Sequence, residues 1–390
     1  MTRYLFLVLL IVHTLALAQG PLDPDTEPVP AMKSLQEIWD RLAVQRTQIA
    51  GITDQAAPSV NLAWTSDRMT PAGLPVEGVS LAFGPDGQPA IALAYGFDDL
   101  YYLHFNGATW DVTVVDAVGN VGRFPSLAFG PDGYPAISYL DDTNDDLKFA
   151  RYDGAQWNIE VVESAGSVGY NTSLAFGPDG QPAIAYSALP GQDLKFAQYD
   201  GAQWNIVVAD SNGEDGYDSS LAFGPDGHPI ISHVSVTGLN EYRLELARFN
   251  GTSWINTIID TSNGISGDLR IGPDGQPAVA YVDHTNNVKA ARYNGTSWTP
   301  SLVATTLASQ AVSLAFDTAG RPSVAYHTPG KLMFARWSGV TWQQDIADVG
   351  YPIIGVPVSL AYGPDGQPAM AYAGNTGLSF LRKASFITAP

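Results

Sequence analysis

From about residue 80 onward, apolar and polar positions alternate with the period of a β-strand, interrupted at short intervals by Gly, Pro, Asp and Asn. Residues 173–186 read SLAFGPDGQPAIAY: SLAF alternates, GPDG turns, and PAIAY continues as an apolar strand. Pro at the second turn position presets φ, and the closing Gly tolerates positive φ, as a bulged hairpin requires. LKFAQY and WNIVVA form a second strand pair joined by DGAQ, again with Asp-Gly at the turn. Nothing in this unit carries a helical period.

The unit repeats. The tetrapeptide that begins at Gly84 returns at Gly130, Gly177, Gly224, Gly272 and Gly363, with a variant, DTAG, at Asp317; the intervals are 46, 47, 47, 48, 45 and 46 residues. Four short antiparallel strands at that period match a propeller blade and disfavour leucine-rich, ankyrin and helical solenoid repeats. The expected fold is an all-β, seven-bladed β-propeller of four-stranded antiparallel blades over residues 58–390. After Lys383 only ASFITAP remains, without the Trp that earlier units carry there. PSVNLAW, residues 58–64, is expected to supply the missing outer strand and latch the ring, with Phe386 to Ala389 as the alternative.

The N-terminal part differs. Arg3, the apolar run Tyr4 to Val12 and Ala16-Leu17-Ala18 have the layout of a signal peptide over residues 1–18, cleaved after Ala18. Residues 19–33 are rich in Pro and acid and read as an extended linker. Over 34–50, Leu35, Ile38, Leu42 and Ile49 share one face of a predicted amphipathic helix, with Ser34 and Glu37 as a capping box. That stripe is expected to pack on the main domain or on a second copy, which would make the protein an oligomer. The expected location is secreted, extracellular or periplasmic, without membrane insertion after cleavage, because no other apolar run is long enough to span.

Composition narrows the partners. At 45% hydrophobic and 11% aromatic residues, the 390-residue chain can bury a large core. Its 19 Lys and Arg against 39 Asp and Glu leave a net charge of -20, which repels phosphate backbones and argues against nucleic acid. With no cysteine, no disulfide contributes to stability.

Copies within one chain separate scaffold from speciality. Trp110, Trp157, Trp204, Trp254, Trp298 and Trp342 recur after the second turn and are expected to pack between blades. Arg151, Arg248, Arg292, Arg336 and Arg382 recur likewise, as do Tyr139, Tyr186, Tyr281, Tyr326 and Tyr372, so both columns are read as structural. The run ARYDGAQW, residues 150–157, resembles the Asp-box (BNR-type) turn of sialidase-like propellers, here with the Asp immediately before the Gly instead of two before it. The resemblance spans the repeat region and implies a propeller whose Asp-box turns are structural and lie away from the substrate face. A sialidase would also need three arginines on one carboxylate, a Tyr nucleophile with a Glu beside it and an Asp acid/base, and no local pattern selects such a group.

Positions that break the repeat are the candidates for recognition. The connections leading into the innermost strands place Arg123, Phe124, Tyr170 and Tyr217 next to the central opening, where aromatic and polar groups suit a sugar or a peptide. In LDDTNDD, residues 140–146, Asp141, Asp142, Asp145 and Asp146 offer oxygen ligands for calcium, without EF-hand or DxDxDG spacing. His233 replaces a column tyrosine and is a further ligand candidate; with His284 and His327 it also forms a candidate zinc set. No GxSxG elbow, HExxH helix or phosphate-binding loop is present. The expected function is therefore non-enzymatic recognition of carbohydrate or an extracellular protein. Polysaccharide hydrolysis or lysis, and assembly through helix 34–50, are the alternatives.

Overall fold

Six repeats close the first hairpin through a GPDG turn, and the sixth blade through DTAG. In blade 2 the Gly130 N–H donates to the Tyr134 carbonyl at 2.9 Å, and the Asp132 carboxylate accepts the Tyr134 N–H at 3.2 Å. Arg151 on the third strand then holds the other oxygen of Asp132 at 2.8 Å. The Arg column therefore pins turns to blades, as Arg248–Asp226, Arg292–Asp274 and Arg382–Asp365 repeat.

The computed structural model describes residues 62–385, except 70–75, 97–98, 190–192, 213, 239–240, 262–263, 307–310, 352–356 and 375–376. The predicted signal peptide, linker, helix 34–50 and alternative closing strand 386–389 lie outside the described residues. Seven four-stranded antiparallel sheets are formed, each in simple sequential order except the last. Blades 1 to 6 occupy residues 76–116, 121–163, 167–210, 214–260, 264–305 and 312–351. Blade 7 takes three strands from residues 358–385 and its outer strand, Leu62–Arg68, from the beginning of the described chain. The latch strand thus runs a few residues beyond the predicted 58–64.

Latching also completes the tryptophan column. Trp64 pairs with Lys383, the register that Trp157 has with Tyr152, so it stands where the last repeat lacks a Trp. Its ring meets Phe334 of blade 6 edge-on at 5.3 Å, as Trp110 meets Phe380, Trp157 meets Tyr102 and Trp204 meets Phe149 across their junctions. Between these contacts the second strands are buried from both sides; every residue of Pro135–Asp141 is buried.

The first strands form the inner wall and touch one another in a closed cycle, blade 7 meeting blade 1. One inward edge of each would leave backbone N–H groups without a sheet partner. The Ser of SLAF answers this. Ser80 accepts the Leu127 N–H at 3.0 Å, and Ser126, Ser173 and Ser220 accept those of Leu174, Leu221 and Leu269. In blade 5 Asp268 takes the place of Ser and accepts from Leu314 at 2.7 Å; Ser313 then serves Leu360, and Ser359 serves Leu81. Seven side-chain-to-backbone bonds thus run once around the ring.

Ser313 is 3% exposed, and both it and the Leu360 N–H it serves are enclosed. Ser313→Ala is expected to lower unfolding free energy in urea by about 1–3 kcal/mol, the cost of one buried unsatisfied donor. Ser66→Ala on the exposed latch strand is expected to change it by less than about 0.5 kcal/mol.

Candidate functional site

The candidate recognition residues at the ring mouth lie in strands, not in loops. Val121–Phe129 and Ser167–Phe176 include Arg123, Phe124 and Tyr170, and bulges near those residues shift the pairing register. Two features make the bulge. Gly122 has φ 94°, and a Cβ there would fall 2.9 Å from the Leu100 Cβ. Phe124, Asn171 and Asp218, at equivalent places in blades 2 to 4, have φ of 51°, 51° and 49°, a left-handed conformation that costs energy for any residue but glycine. The bulge turns these three residues toward a cavity of about 330 Å³ at the axis, which Glu77, Thr172, Gly267 and Pro357 also line.

Several predicted residues meet there. Arg123 bridges Glu77 at 3.0 Å and Asp142 at 2.8 Å, and its guanidinium lies over the Phe124 ring at 5.3 Å. Phe124 in turn meets Tyr170 at 6.1 Å. Burial, together with the charges of Asp145 and Asp142, raises the Tyr170 phenol above its ordinary value, so it stays a neutral donor. Asp218 differs from its neighbours: enclosure by the wall pushes its carboxyl up from 3.8 to about 6.

The acidic turn is tied elsewhere. Asp141 is fully buried, bonded to Lys148 at 2.7 Å and to Asn144 at 2.9 Å; burial alone would raise its pKa, but these partners outweigh it and hold the carboxyl below its usual range. Asp142 is held by Arg123 and Asn120, and Asp145 faces Tyr170 at 3.5 Å. Burial and the nearby Asp141 charge raise the Asp146 carboxyl. Among the described residues, these four do not bring three carboxylates within 4.8 Å of one another. Asp141, Asp142 and Asp145 each answer a different neighbour.

Tyr217 and the histidines sit away from the mouth cluster. Tyr217 packs against the core between blades 4 and 5. His233 is fully buried beside Asp210 of blade 3. His284 is exposed in a turn of blade 5. His327 is buried against Tyr372, and burial lowers its pKa to about 4. The three imidazoles therefore lie on three different blades, 4, 5 and 6.

Larger concavities open on the opposite face, where the GPDG and DGAQ-type turns lie. Clefts of about 590, 470, 510 and 570 Å³ occupy the junctions of blades 1 and 2, 2 and 3, 4 and 5, and 5 and 6. Three of them contain the column Trp paired with the aromatic that ends the third strand: Tyr152–Trp157, Tyr293–Trp298 and Trp337–Trp342, with centroids 5.5–5.6 Å apart. Polar groups complete each cleft, among them Asp111 and Gln156 at the first and Asn250 and Ser297 at the third. Sequence reading placed recognition on the mouth face because the opposite face is built from repeated residues. The signal that could have located the clefts was the repetition itself.

The turn that resembles an Asp-box serves its own hairpin. Asp153 accepts the Ala155 and Gln156 N–H groups at 2.8 and 2.9 Å with one oxygen and Asn158 at 2.8 Å with the other. Asp200 and Asn250 cap their turns likewise.

No protein-family model matches the chain, and no curated protein matches it in sequence. Solved structures share the fold. An ulvan lyase bound to -[GlcA(1-4)Rha3S]- superposes with a TM-score of 0.58 at 12% identity, covering 80% of this chain and 94% of that one. The Cps50 (Swd1) β-propeller domain of Myceliophteria thermophila gives 0.55 at 10% identity, over 82% and 99%. AofleA from Arthrobotrys oligospora gives 0.52 at 12% identity, over 75% and 92%. At these identities the likeness is one of propeller architecture.

Asp218 sets a pH dependence. Its folded pKa is raised, so its contribution to stability is intact below 3.8 and lost as pH rises through about 6. Asp218→Asn keeps a side chain that Asn171 shows to fit this backbone. The variant is expected to unfold at higher urea than the parent at pH 7.5, by about 1–2 kcal/mol, with the difference vanishing near pH 3.5.

Proposed function

We propose that this chain is an exported, non-enzymatic glycan-binding propeller that engages sugars in its junction clefts. The observation that supports this reading is the recurrence of an aromatic-and-amide cleft at four of the blade junctions. Aromatic faces supply flat apolar area for the C–H face of a sugar ring, and the surrounding carboxylates, amides and hydroxyls supply hydroxyl partners. Repetition adds avidity: weak sites spaced around one rigid ring bind a repeating polymer more tightly than any one of them alone. The signal-peptide pattern over residues 1–18 is in keeping with work outside the cytoplasm, and the net charge of -20 disfavours anionic polymers.

Polysaccharide cleavage at the mouth is the rival reading, and Asp218 is the observation in its favour as a candidate acid. Glycoside cleavage needs a second carboxyl group across the scissile bond. Glu77 and Asp142, the nearby candidates, are both bound to Arg123.

Tyr134 is 39% exposed and lines two clefts. Tyr134→Ala is expected to weaken binding to immobilised glycan about tenfold, the worth of one stacking contact, while Phe124→Ala at the mouth leaves it unchanged. A glycan array without signal for the purified chain, or equal binding by Tyr134→Ala, would remove the cleft reading. Loss of binding in Phe124→Ala alone would move recognition to the mouth.

A further inference from the structure

A belt of buried charge crosses the blade junctions, and it changes character at one of them. Between blades 1 and 2, the Tyr139 hydroxyl donates to Asp116 at 2.8 Å, and Lys148 reaches the same carboxylate at 3.2 Å. Between blades 2 and 3, Tyr186 and Lys195 share Glu163; between blades 4 and 5, Tyr281 and Lys289 share Asp260. In each case the Tyr and Lys are paired across the second and third strands, and the acid ends the fourth strand of the preceding blade. The ammonium and the phenol together hold the acid, and Lys148 and Lys289 each also reach a second carboxylate, Asp141 and Asp283.

The junction of blades 3 and 4 keeps the acid and replaces both partners. His233 stands in the tyrosine position and Glu245, its cross-strand partner, in the lysine position, facing Asp210. The substitution removes a cation and adds a carboxylate at a place where Asp210 is 3% exposed and His233 is fully buried.

The geometry points in the same direction. One donor atom from each of Asp210, His233 and Glu245 lies within 4.8 Å of the others, the group of this kind found among the described residues. The His233 Nε2 approaches Asp210 Oδ2 to 3.3 Å, yet both imidazole nitrogens and that oxygen lack a hydrogen bond. Buried imidazole nitrogens ordinarily have partners. The other oxygen of Asp210 is occupied by the Asn212 amide at 2.8 Å and backbone N–H at 3.1 Å, which fixes the carboxylate with its second oxygen turned toward the histidine. Outer contacts of this sort orient metal ligands.

We infer that Asp210, His233 and Glu245 form a binding site for one divalent transition-metal ion, zinc by the nature of the donors, that cross-links blades 3 and 4. An imidazole and two carboxylates are borderline ligands that zinc takes at about 2.0–2.2 Å, so a small rotation of the side chains brings all three to one ion. With a neutral imidazole, the ion supplies at this junction the positive charge that lysine brings to the others. Because the donors come from two blades, with Asp210 and His233 buried, uptake is coupled to docking of those blades.

The test uses the full chain, stripped with chelator and titrated with zinc alone by calorimetry, with metal content read by mass spectrometry. One zinc per chain and a melting temperature raised by a few degrees on zinc addition are expected. His233→Tyr combined with Glu245→Lys rebuilds the Tyr–Lys pair of the other junctions and is expected to fold, to take up no zinc and to melt at a temperature indifferent to it. Glu245→Gln, nearly the same shape as the parent, is expected to bind zinc at least about tenfold more weakly. A parent chain that takes up no stoichiometric zinc, or a rebuilt or Glu245→Gln variant that binds it as tightly as the parent, overturns the site and leaves a plain histidine–carboxylate pair.

Discussion

The ring of bonds from Leu N–H groups to the hydroxyl of the preceding blade is the constraint on which the other features depend. An innermost strand has a sheet partner on one side only, and its other edge faces the neighbouring blade. A serine is short enough to reach across and carries an acceptor, so each blade completes the edge of the next. Where Ser becomes Asp268, the carboxylate serves Leu314 and the Ser313 hydroxyl together, and Arg270 balances its charge at 2.5 Å. Once this inner register is set, the same column of residues reaches the same radius in every blade. Tryptophans then meet the preceding third strand, and the belt of buried acids meets its donors.

That common register divides the molecule into two kinds of surface. On the mouth face the chain varies, and blades 2, 3 and 4 place Phe124, Asn171 and Asp218 in one strained conformation with three different side chains. On the turn face it repeats, and repetition produces several similar clefts. A single unique site and a set of equivalent ones demand different ligands: the first a small molecule or chain end, the second an extended polymer with a period of its own. The aromatic pairs at 5.5–5.6 Å belong to the second kind.

The architecture was legible because seven repeats of one hairpin, four of them reading SLAFGPDG, expose their own period and turn chemistry. The latch was legible too, from a Trp missing at the end and a strand-like segment near the beginning. That Trp64 takes the missing place needed the register. The roles of Arg123, Phe124, Tyr170 and Asp142 as one cluster depend on a bulge set by Gly122 and a left-handed Phe124, a conformation that no propensity announces for phenylalanine. Asp141 looked like an open ligand because Lys148 is only seven residues away in sequence and yet its pairing needs the strands to be folded back. His233 stood out as an exception, but Asp210 and Glu245 are joined to it only by pairing across strands and blades.

The outer strand of blade 7 joins residues at opposite ends of the described chain; Thr65 bonds the Arg382 carbonyl across 317 positions of sequence. A ribosome has released most of the propeller before that pairing can form, so a nascent chain passes through a stage in which the first blades have no neighbour on one side. Loop closure over such a span is slow compared with the hairpins inside each blade. Synthesis and ring closure are therefore separate events in time, and the interval between them is when an unpaired blade edge is open to chaperones or to another copy of itself.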